Sequence, residues 1–190
     1  MRERIRQAGA SAGRWLGVAL VCAGAALAPD LPVRAADDPL EYRVKAAFMF
    51  KFASFVNWPA SRFATPDSPV ELCVLGSEGF SEVLEDTVSG KTAAARPLHV
   101  RRIEQVRELS DCHVAYVLAD STAQSERLLA QLAGRSILTV YEAPATISAG
   151  VVRFYLEDRR VRFEINAAAA EREKLQVSSK LLAVARVVDQ

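Results

Sequence analysis

The sequence predicts an α/β fold in which a mostly parallel sheet carries helices on both faces. Through the middle of the chain, short apolar runs alternate with segments whose apolar residues recur at helical spacing. The apolar runs are hydrophobic at consecutive positions, which is typical of strands that are covered on both sides. Near the C-terminal end, residues 151–166 instead alternate apolar and polar residues around Glu157-Asp158-Arg159, which predicts an antiparallel hairpin.

The first helix is predicted over residues 41–58, and it should end there because the next residue is a proline. Phe48, Phe52 and Phe55 recur on one face of this helix, so we expect them to pack on the sheet. Lys45 is expected to lay its stem along the apolar stripe and to keep its ammonium group in water.

Phe50 and Trp58 lie apart from this stripe. Phe50 points about 200° away from Phe48 around the helix axis, and Trp58 lies at the helix end. We expect both side chains to contact either the last helix or a second subunit. The alternative is that both are buried within the monomer, since large aromatic residues are mostly buried.

The remaining elements follow from runs of apolar residues and the turn residues that bound them. Strands are predicted over residues 70–76, 96–103, 112–120 and 136–143, and helices over 76–88 and 121–134. The strand at 96–103 is more polar, so it should lie nearer an edge, and the hairpin should add an antiparallel edge. The tail, residues 167–188, is predicted to be helical with a break near Val177, after which Ser178 caps the last segment.

The first 35 residues have the pattern of a cleavable signal peptide. A basic start precedes an apolar run at residues 15–28, and Val33-Arg34-Ala35 suits cleavage after Ala35. The apolar run is short for a membrane span, although an uncleaved anchor is the alternative. The sequence therefore predicts export to the periplasm and a single domain over residues 36–190.

The charge balance gives no sign of a polyanionic partner. The leader contains five arginines against Glu3 and Asp30, so its removal lowers the net charge from +1 to −2. This value argues against nucleic acid and against an acidic membrane surface as the partner.

Removal of the leader also leaves Cys73 and Cys112 as the cysteines of the chain. Two cysteines in an exported protein predict a disulfide bond, because the compartment is oxidising. Two buried free thiols are the alternative, since cysteine is common in cores.

Catalytic patterns are weak throughout the sequence. His99 and His113 do not combine with the cysteines in a zinc-binding spacing, and Ser178-Ser179-Lys180 lacks the spacing of a serine–lysine nucleophile. We therefore predict a protein that is not an enzyme and that binds no cofactor or metal. A small-ligand cleft remains possible at Gly76, Ser77, Gly79 and Asp120, because ligands favour the carboxyl ends of parallel strands.

A series of motifs, taken in order, resembles the YfiR-like family of exported bacterial regulators. The series covers nearly all of residues 42–188: VKAAFMFKFASFVNWP (44–59), ELCVLG (71–76), RPLHV (96–100), CHVAYV (112–117), ILTV (137–140), GVVRFYLEDRRVRFEIN (150–166) and LQVSSKLLAVARVV (175–188). The resemblance implies a periplasmic α/β domain, often a homodimer, without catalysis. It also implies that Cys73 and Cys112 match the family's cysteine framework, whereas a second cysteine pair found late in some relatives has no counterpart here.

The function implied by the resemblance is repression of a membrane-bound diguanylate cyclase through its periplasmic sensor region. An outer-membrane lipoprotein of OmpA type can sequester such a repressor, so the pathway controls cyclic di-GMP and biofilm formation. The alternative is a periplasmic small-ligand-binding module that acts on another receptor, such as a histidine kinase.

Overall fold

A computed structural model of the chain describes residues 39–189, and the predicted signal peptide lies outside these residues. The α-helices are α1 Pro39–Phe55, α2 Glu78–Val88, α3 Thr122–Leu132, α4 Ala167–Arg172 and α5 Ser179–Leu182. The strands are β1 Val56–Asn57, β2 Val70–Leu75, β3 Thr92–Ala93, β4 Arg96–Ile103, β5 Val114–Val117, β6 Leu138–Glu142, β7 Val152–Glu157, β8 Arg160–Asn166, β9 Gln176–Val177 and β10 Arg186–Val188. Short 3₁₀ helices lie at Ala60–Arg62 and Val106–Asp111.

Eight of these strands form one sheet in the order β10-β8-β7-β6-β5-β2-β4-β3. Neighbours from β7 through β6, β5 and β2 to β4 are parallel, while β7 and β8 form the antiparallel hairpin. Strands β1 and β9 pair separately. The mostly parallel α/β fold with a C-terminal hairpin is therefore confirmed, and β4 lies near an edge, followed only by the two-residue β3.

Hydrophobic cores lie on both faces of the sheet because successive strand residues point to opposite sides. On one face, Leu72 and Val74 of β2 pack with side chains of α1 and α2, such as Phe52 and Leu84. On the other face, Cys73 packs among side chains from α3 and the second 3₁₀ helix. Within residues 39–189, no helix is both long enough and apolar enough to cross a membrane.

The predicted helical tail is wrong in most of its length. Helix α4 ends at Arg172, and Gln176–Val177 then pairs with Val56–Asn57 as a small antiparallel ladder. The backbone N–H of Ser178 donates to the Phe55 carbonyl, which extends this contact and ends α1 before Trp58. Pairing with a distant segment has overridden the local helical preference of both stretches.

Strand β10 also corrects the predicted edge. Val187 and Val188 are predicted within the last helix, but they form a parallel strand that pairs with Ile165 and Asn166 of β8. The hairpin is thus internal to the sheet, and β10 forms its edge. Branched side chains at Val187 and Val188 suit an extended strand better than a helix. Ser178 does cap the short helix α5, as predicted, by accepting a hydrogen bond from the backbone N–H of Lys180 at 3.3 Å.

Candidate functional site at the carboxyl edge of the sheet

Helix α1 runs from the carboxyl edge of the parallel strands to their amino edge. Near its start, Tyr42 hydrogen-bonds Ser77, which follows β2, and Lys45 pairs with Glu142 at the end of β6. Just beyond its end, Trp58 bonds His113, which precedes β5. The first turns of α1 therefore cover the edge where a ligand cleft is predicted.

The glycine turn after β2 serves the backbone. Gly76 has φ +90°, and a Cβ atom there would lie 2.3 Å from the carbonyl oxygen of Leu118. Gly76 thus lets β2 and β5 end side by side, and Leu118 lies two residues before Asp120. The turns that carry the predicted cleft residues therefore do adjoin.

The polar groups of these turns already have partners within the chain. Ser77 caps α2 by accepting from the Phe80 N–H at 3.3 Å, and its hydroxyl lies 3.1 Å from the Tyr42 hydroxyl. Gly79 faces the Tyr42 ring, and a Cβ atom at this glycine would lie 3.7 Å from the ring. The backbone N–H of Asp120 donates to the Gln124 side chain at 3.0 Å. A small-ligand cleft at these positions stays a prediction, and Tyr42 occupies one side of it.

A buried charged cluster, which no sequence pattern indicates, lies under α1 at the same edge. Lys45 is only 3% exposed, so the prediction that its ammonium group remains in water is wrong. Its Nζ lies 2.5 Å from Glu142 Oε1 and also pairs with Glu41. The Tyr116 hydroxyl donates to the same Glu142 oxygen. Burial, reinforced by the negative charge of Glu142, raises the pKa of Tyr116, so this phenol remains a hydrogen-bond donor.

An open groove of about 520 Å³ borders this cluster, and we call it the hairpin groove. It lies between the first turns of α1 and the tip of the β7–β8 hairpin. Its lining consists of Leu40, Glu41, Val44, Leu156, Arg159, Arg160, Val161 and Arg162. Glu41 belongs to both the groove and the Lys45 cluster, so the ion pairs of the cluster hold one lining residue of the groove in place. No sequence pattern pointed to this site, because its two sides are distant in the chain.

A second cluster lies at the opposite, amino edge of the sheet. The His113 ring stacks on Phe63, with 4.4 Å between ring centroids, and meets the Trp58 ring edge-on at 5.7 Å. Nδ1 of His113 accepts from the Glu71 N–H at 3.1 Å, so the neutral ring carries its proton on Nε2, 3.2 Å from the Arg62 carbonyl oxygen. Burial, assisted by the positive charge of Arg62, lowers the pKa of His113 to about 4.

The two aromatic residues expected at an interface are each held within the monomer in part. The Trp58 indole N–H donates to the His113 carbonyl oxygen at 3.0 Å, and its side chain is half-buried. Phe50 is also half-buried and lies under the Lys91 ammonium group, with 5.0 Å from Nζ to the ring centroid. A contact of Phe50 or Trp58 with a second subunit stays a prediction.

Cys73 and Cys112 form a disulfide bond between β2 and the segment that leads into β5. Their Cα atoms are 5.9 Å apart, and both residues are fully buried. Of the two alternatives left by the sequence, the structure contains the bonded one. The bond links β2 to the start of β5 beside the His113 cluster, away from the hairpin groove.

Comparison with protein families gives a match to the YfiR/HmsC-like family over residues 42–186. This chain belongs to the YfiR/HmsC-like family. The match covers every strand of the sheet and both sites described above, apart from the first turn of α1 and the end of β10. No curated protein matches the chain.

Among solved structures, this YfiR/HmsC-like chain is similar to a conserved domain protein from Vibrio cholerae. The TM-score is 0.45 at 13% identity, and the match covers 62% of this chain and 54% of that one. It is also similar to an ABC domain in complex with L-Trp from Streptococcus pneumonia, with a TM-score of 0.48 at 11% identity and coverage of 78% and 60%. This chain thus matches little more than half the length of either structure.

Proposed function

We propose that this chain is a non-catalytic periplasmic regulator. In this proposal it represses a membrane-bound diguanylate cyclase by binding the cyclase's periplasmic sensor region, and it thereby lowers cyclic di-GMP and biofilm formation. The observation that carries the proposal is the family match over residues 42–186. Exposed apolar residues at the hairpin groove support a role in binding another macromolecule, because such side chains often mark interaction surfaces.

The test is the cyclic di-GMP content of a clean deletion strain, measured against the parent and against a complemented strain. Deletion should raise cyclic di-GMP, and the full chain expressed from a plasmid should restore the parental level. A chain lacking residues 2–35 should fail to restore it, because the repressor would remain on the wrong side of the membrane. An unchanged level on deletion, under conditions in which the gene is expressed, would refute cyclase repression.

The proposal includes a homodimer and sequestration by an outer-membrane lipoprotein of OmpA type. The mature chain should sediment as a dimer that Phe50→Glu and Trp58→Glu convert to monomers with unchanged circular dichroism. If both variants simply unfold, these residues belong to the monomer core and the dimer contact lies elsewhere. The small-ligand alternative has less support, because Tyr42 and the helix cap occupy the Ser77 hydroxyl.

A further inference from the structure

The hairpin groove combines exposed apolar side chains with unpaired positive charge. Leu40 and Leu156, one on each side of the groove, are 66% and 58% exposed. Side chains that line a cavity and still keep more than half of their surface in water lie at its mouth. Val44 and Val161, which are half-buried, complete the apolar lining.

Two of the three groove arginines have no acidic partner among residues 39–189. Within the described part of the chain, the side chains of Arg159 and Arg160 make no ion pair or hydrogen bond. Arg162 has an exposed partner in Glu157, 3.7 Å away, and such surface pairs contribute little. Glu41, the acidic residue of the lining, is already paired with Lys45. The groove is therefore positive, although the chain after residue 35 carries a net charge of −2.

The backbone at the hairpin tip adds an independent observation. Asp158 and Arg159 have φ values of +49° and +59°, so they form the two central residues of a tight turn in left-handed geometry. Such turns favour asparagine and glycine, and a residue with a Cβ atom is disfavoured in this geometry. Arg159 thus occupies a position where its charge is not needed for the fold and where glycine would suit the backbone better.

We infer that the hairpin groove binds an acidic, apolar segment of a partner polypeptide. Apolar side chains of that segment would cover Leu40 and Leu156, and its carboxylates would pair with Arg159 and Arg160. A polypeptide is favoured over a small molecule because a ligand seated on the floor would leave both leucines at the mouth in water. It is favoured over a lipid surface because the apolar residues lie in a concave groove rather than on a protruding face. The inference deepens the proposed function, on which it rests, by assigning the surface that meets the partner.

The first test measures binding of labelled peptides to the chain that begins at Ala36, by fluorescence anisotropy. The probe is the nonapeptide GELDFELDG, and the controls are GKLKFKLKG, which inverts the charge, and GESDSESDG, which removes the apolar residues. Only the first peptide should bind, and more weakly as salt is raised, because salt screens exposed charges.

Variants then locate the binding site. The double variant Arg159→Gly, Arg160→Gln should weaken binding about 3- to 10-fold, as two exposed charge pairs allow. Leu156→Ser should weaken it as well. Arg135→Gln is the matched control, since Arg135 is another exposed arginine and lies before β6, at the other edge of the sheet. Arg159→Gly alone should keep or raise the melting temperature while it weakens binding, a combination that a purely structural role would not produce.

Three results would overturn the inference. The first is peptide binding that does not depend on peptide charge, and the second is equal binding by the groove variants and the wild type. The third is tighter binding of the chain to octanoate or to phosphatidylglycerol vesicles than to the peptide. In cells, the groove variants should lose repression of cyclic di-GMP while Arg135→Gln retains it. If the wild type represses and folded groove variants repress equally, the groove inference fails and the proposed function stands. If the wild type does not repress, the proposed function fails and the peptide measurements decide the groove alone.

Discussion

Acidification should destabilise the fold through His113, which must stay neutral in the native state. The side chain is 4% exposed, and its Nδ1 accepts the backbone N–H of Glu71. A proton on Nδ1 would remove this acceptor and place a positive charge near Arg62. The native pKa of His113 is accordingly lowered from 6.5 to about 4.

The direction and size of the effect follow from this shift. Well above pH 6.5 His113 is neutral in both the folded and the unfolded chain, so it causes no loss in the free energy of unfolding. Between pH 6.5 and about pH 4 the unfolded chain takes up the proton while the folded chain does not, so the free energy of unfolding falls as pH falls. One proton over this interval lowers it by about 2 kcal/mol between pH 7 and pH 5, and by about 3 kcal/mol by pH 4.

The assay is urea unfolding of the chain that begins at Ala36, measured at closely spaced pH values from 7 to 5, the window worked out from the native and unfolded pKa values. Trp58 is the one tryptophan left in that chain, and it touches His113, so its fluorescence reports on this region. His113→Asn supplies an uncharged acceptor. It should be less stable at pH 7 because it loses the ring stack on Phe63, but it should lack the histidine-dependent slope.

Equal slopes in the wild type and in His113→Asn would refute this reasoning. A direct check is NMR titration of the ring in a His99→Asn background, where His113 is the one remaining histidine of residues 36–190. A native pKa of His113 near 6.5 would show that the ring is not buried as described. Carboxylates change the pH dependence of stability mainly below pH 5, so the comparison of the wild type with His113→Asn above that pH isolates the effect of the histidine.

Three further changes test the packing. Gly76→Ala should lower the free energy of unfolding by about 3 kcal/mol or more, because the backbone has φ +90° and the new Cβ meets the Leu118 carbonyl oxygen at 2.3 Å. Gly79→Ala, in a helix with room for a methyl group, should instead raise it by about 0.5 kcal/mol. Similar losses at both sites in chemical unfolding would contradict this. Replacing Cys73 and Cys112 together by alanine should lower the free energy of unfolding by about 4 kcal/mol, because the disulfide bond closes a loop of 39 residues in the unfolded chain. The same urea unfolding measures it. A loss below about 1 kcal/mol would show that the bond does not stabilise the protein mainly by constraining the unfolded chain. Glu164→Gln should cost about 3 kcal/mol at pH 7, because it leaves the buried guanidinium group of Arg153 without its anion. The hydrogen bond from Arg153 lowers the pKa of Glu164 in the folded chain, so the cost should shrink as pH falls below the ordinary carboxylate value of 4.5, where the unfolded chain takes up a proton first. A pH-independent cost in urea unfolding would argue against the ion pair.

Local pattern was sufficient for the elements that form from contiguous sequence. The strand at Arg96–Ile103 was predicted to the residue, and α2 and α3 were predicted within about two residues at each end. Helices α2 and α3 begin at serine caps, Ser77 and Ser121, whose hydroxyls accept helix N–H groups.

The parts that failed depend on partners far along the chain. Nothing within residues 167–188 indicates that Gln176 would pair with Asn57 or that Val187 would pair with Ile165. The same limit hid the charged cluster, because the ammonium group of Lys45 becomes buried only when Glu142 arrives from the end of β6. Tertiary contact overrides local preference where the local signal is weak.

The candidate sites show the same division. The turn that holds Gly76 is recognisable from its position after an apolar run. The structure adds that the Leu118 carbonyl oxygen leaves no room for a Cβ atom there. The hairpin groove could not be predicted, since Leu40 and Leu156 are more than a hundred positions apart in the sequence and each is an ordinary leucine when taken alone.

The aromatic packing of α1 has a consequence for the order in which the chain can fold. Phe48 and Phe52 pack against Phe154 and Phe163, which lie roughly a hundred residues later in the chain. A chain that emerges from its N-terminal end therefore holds this helix face uncovered until the hairpin arrives. During that interval the face is a target for chaperones and for aggregation, and a chain that stops before residue 151 would never cover it.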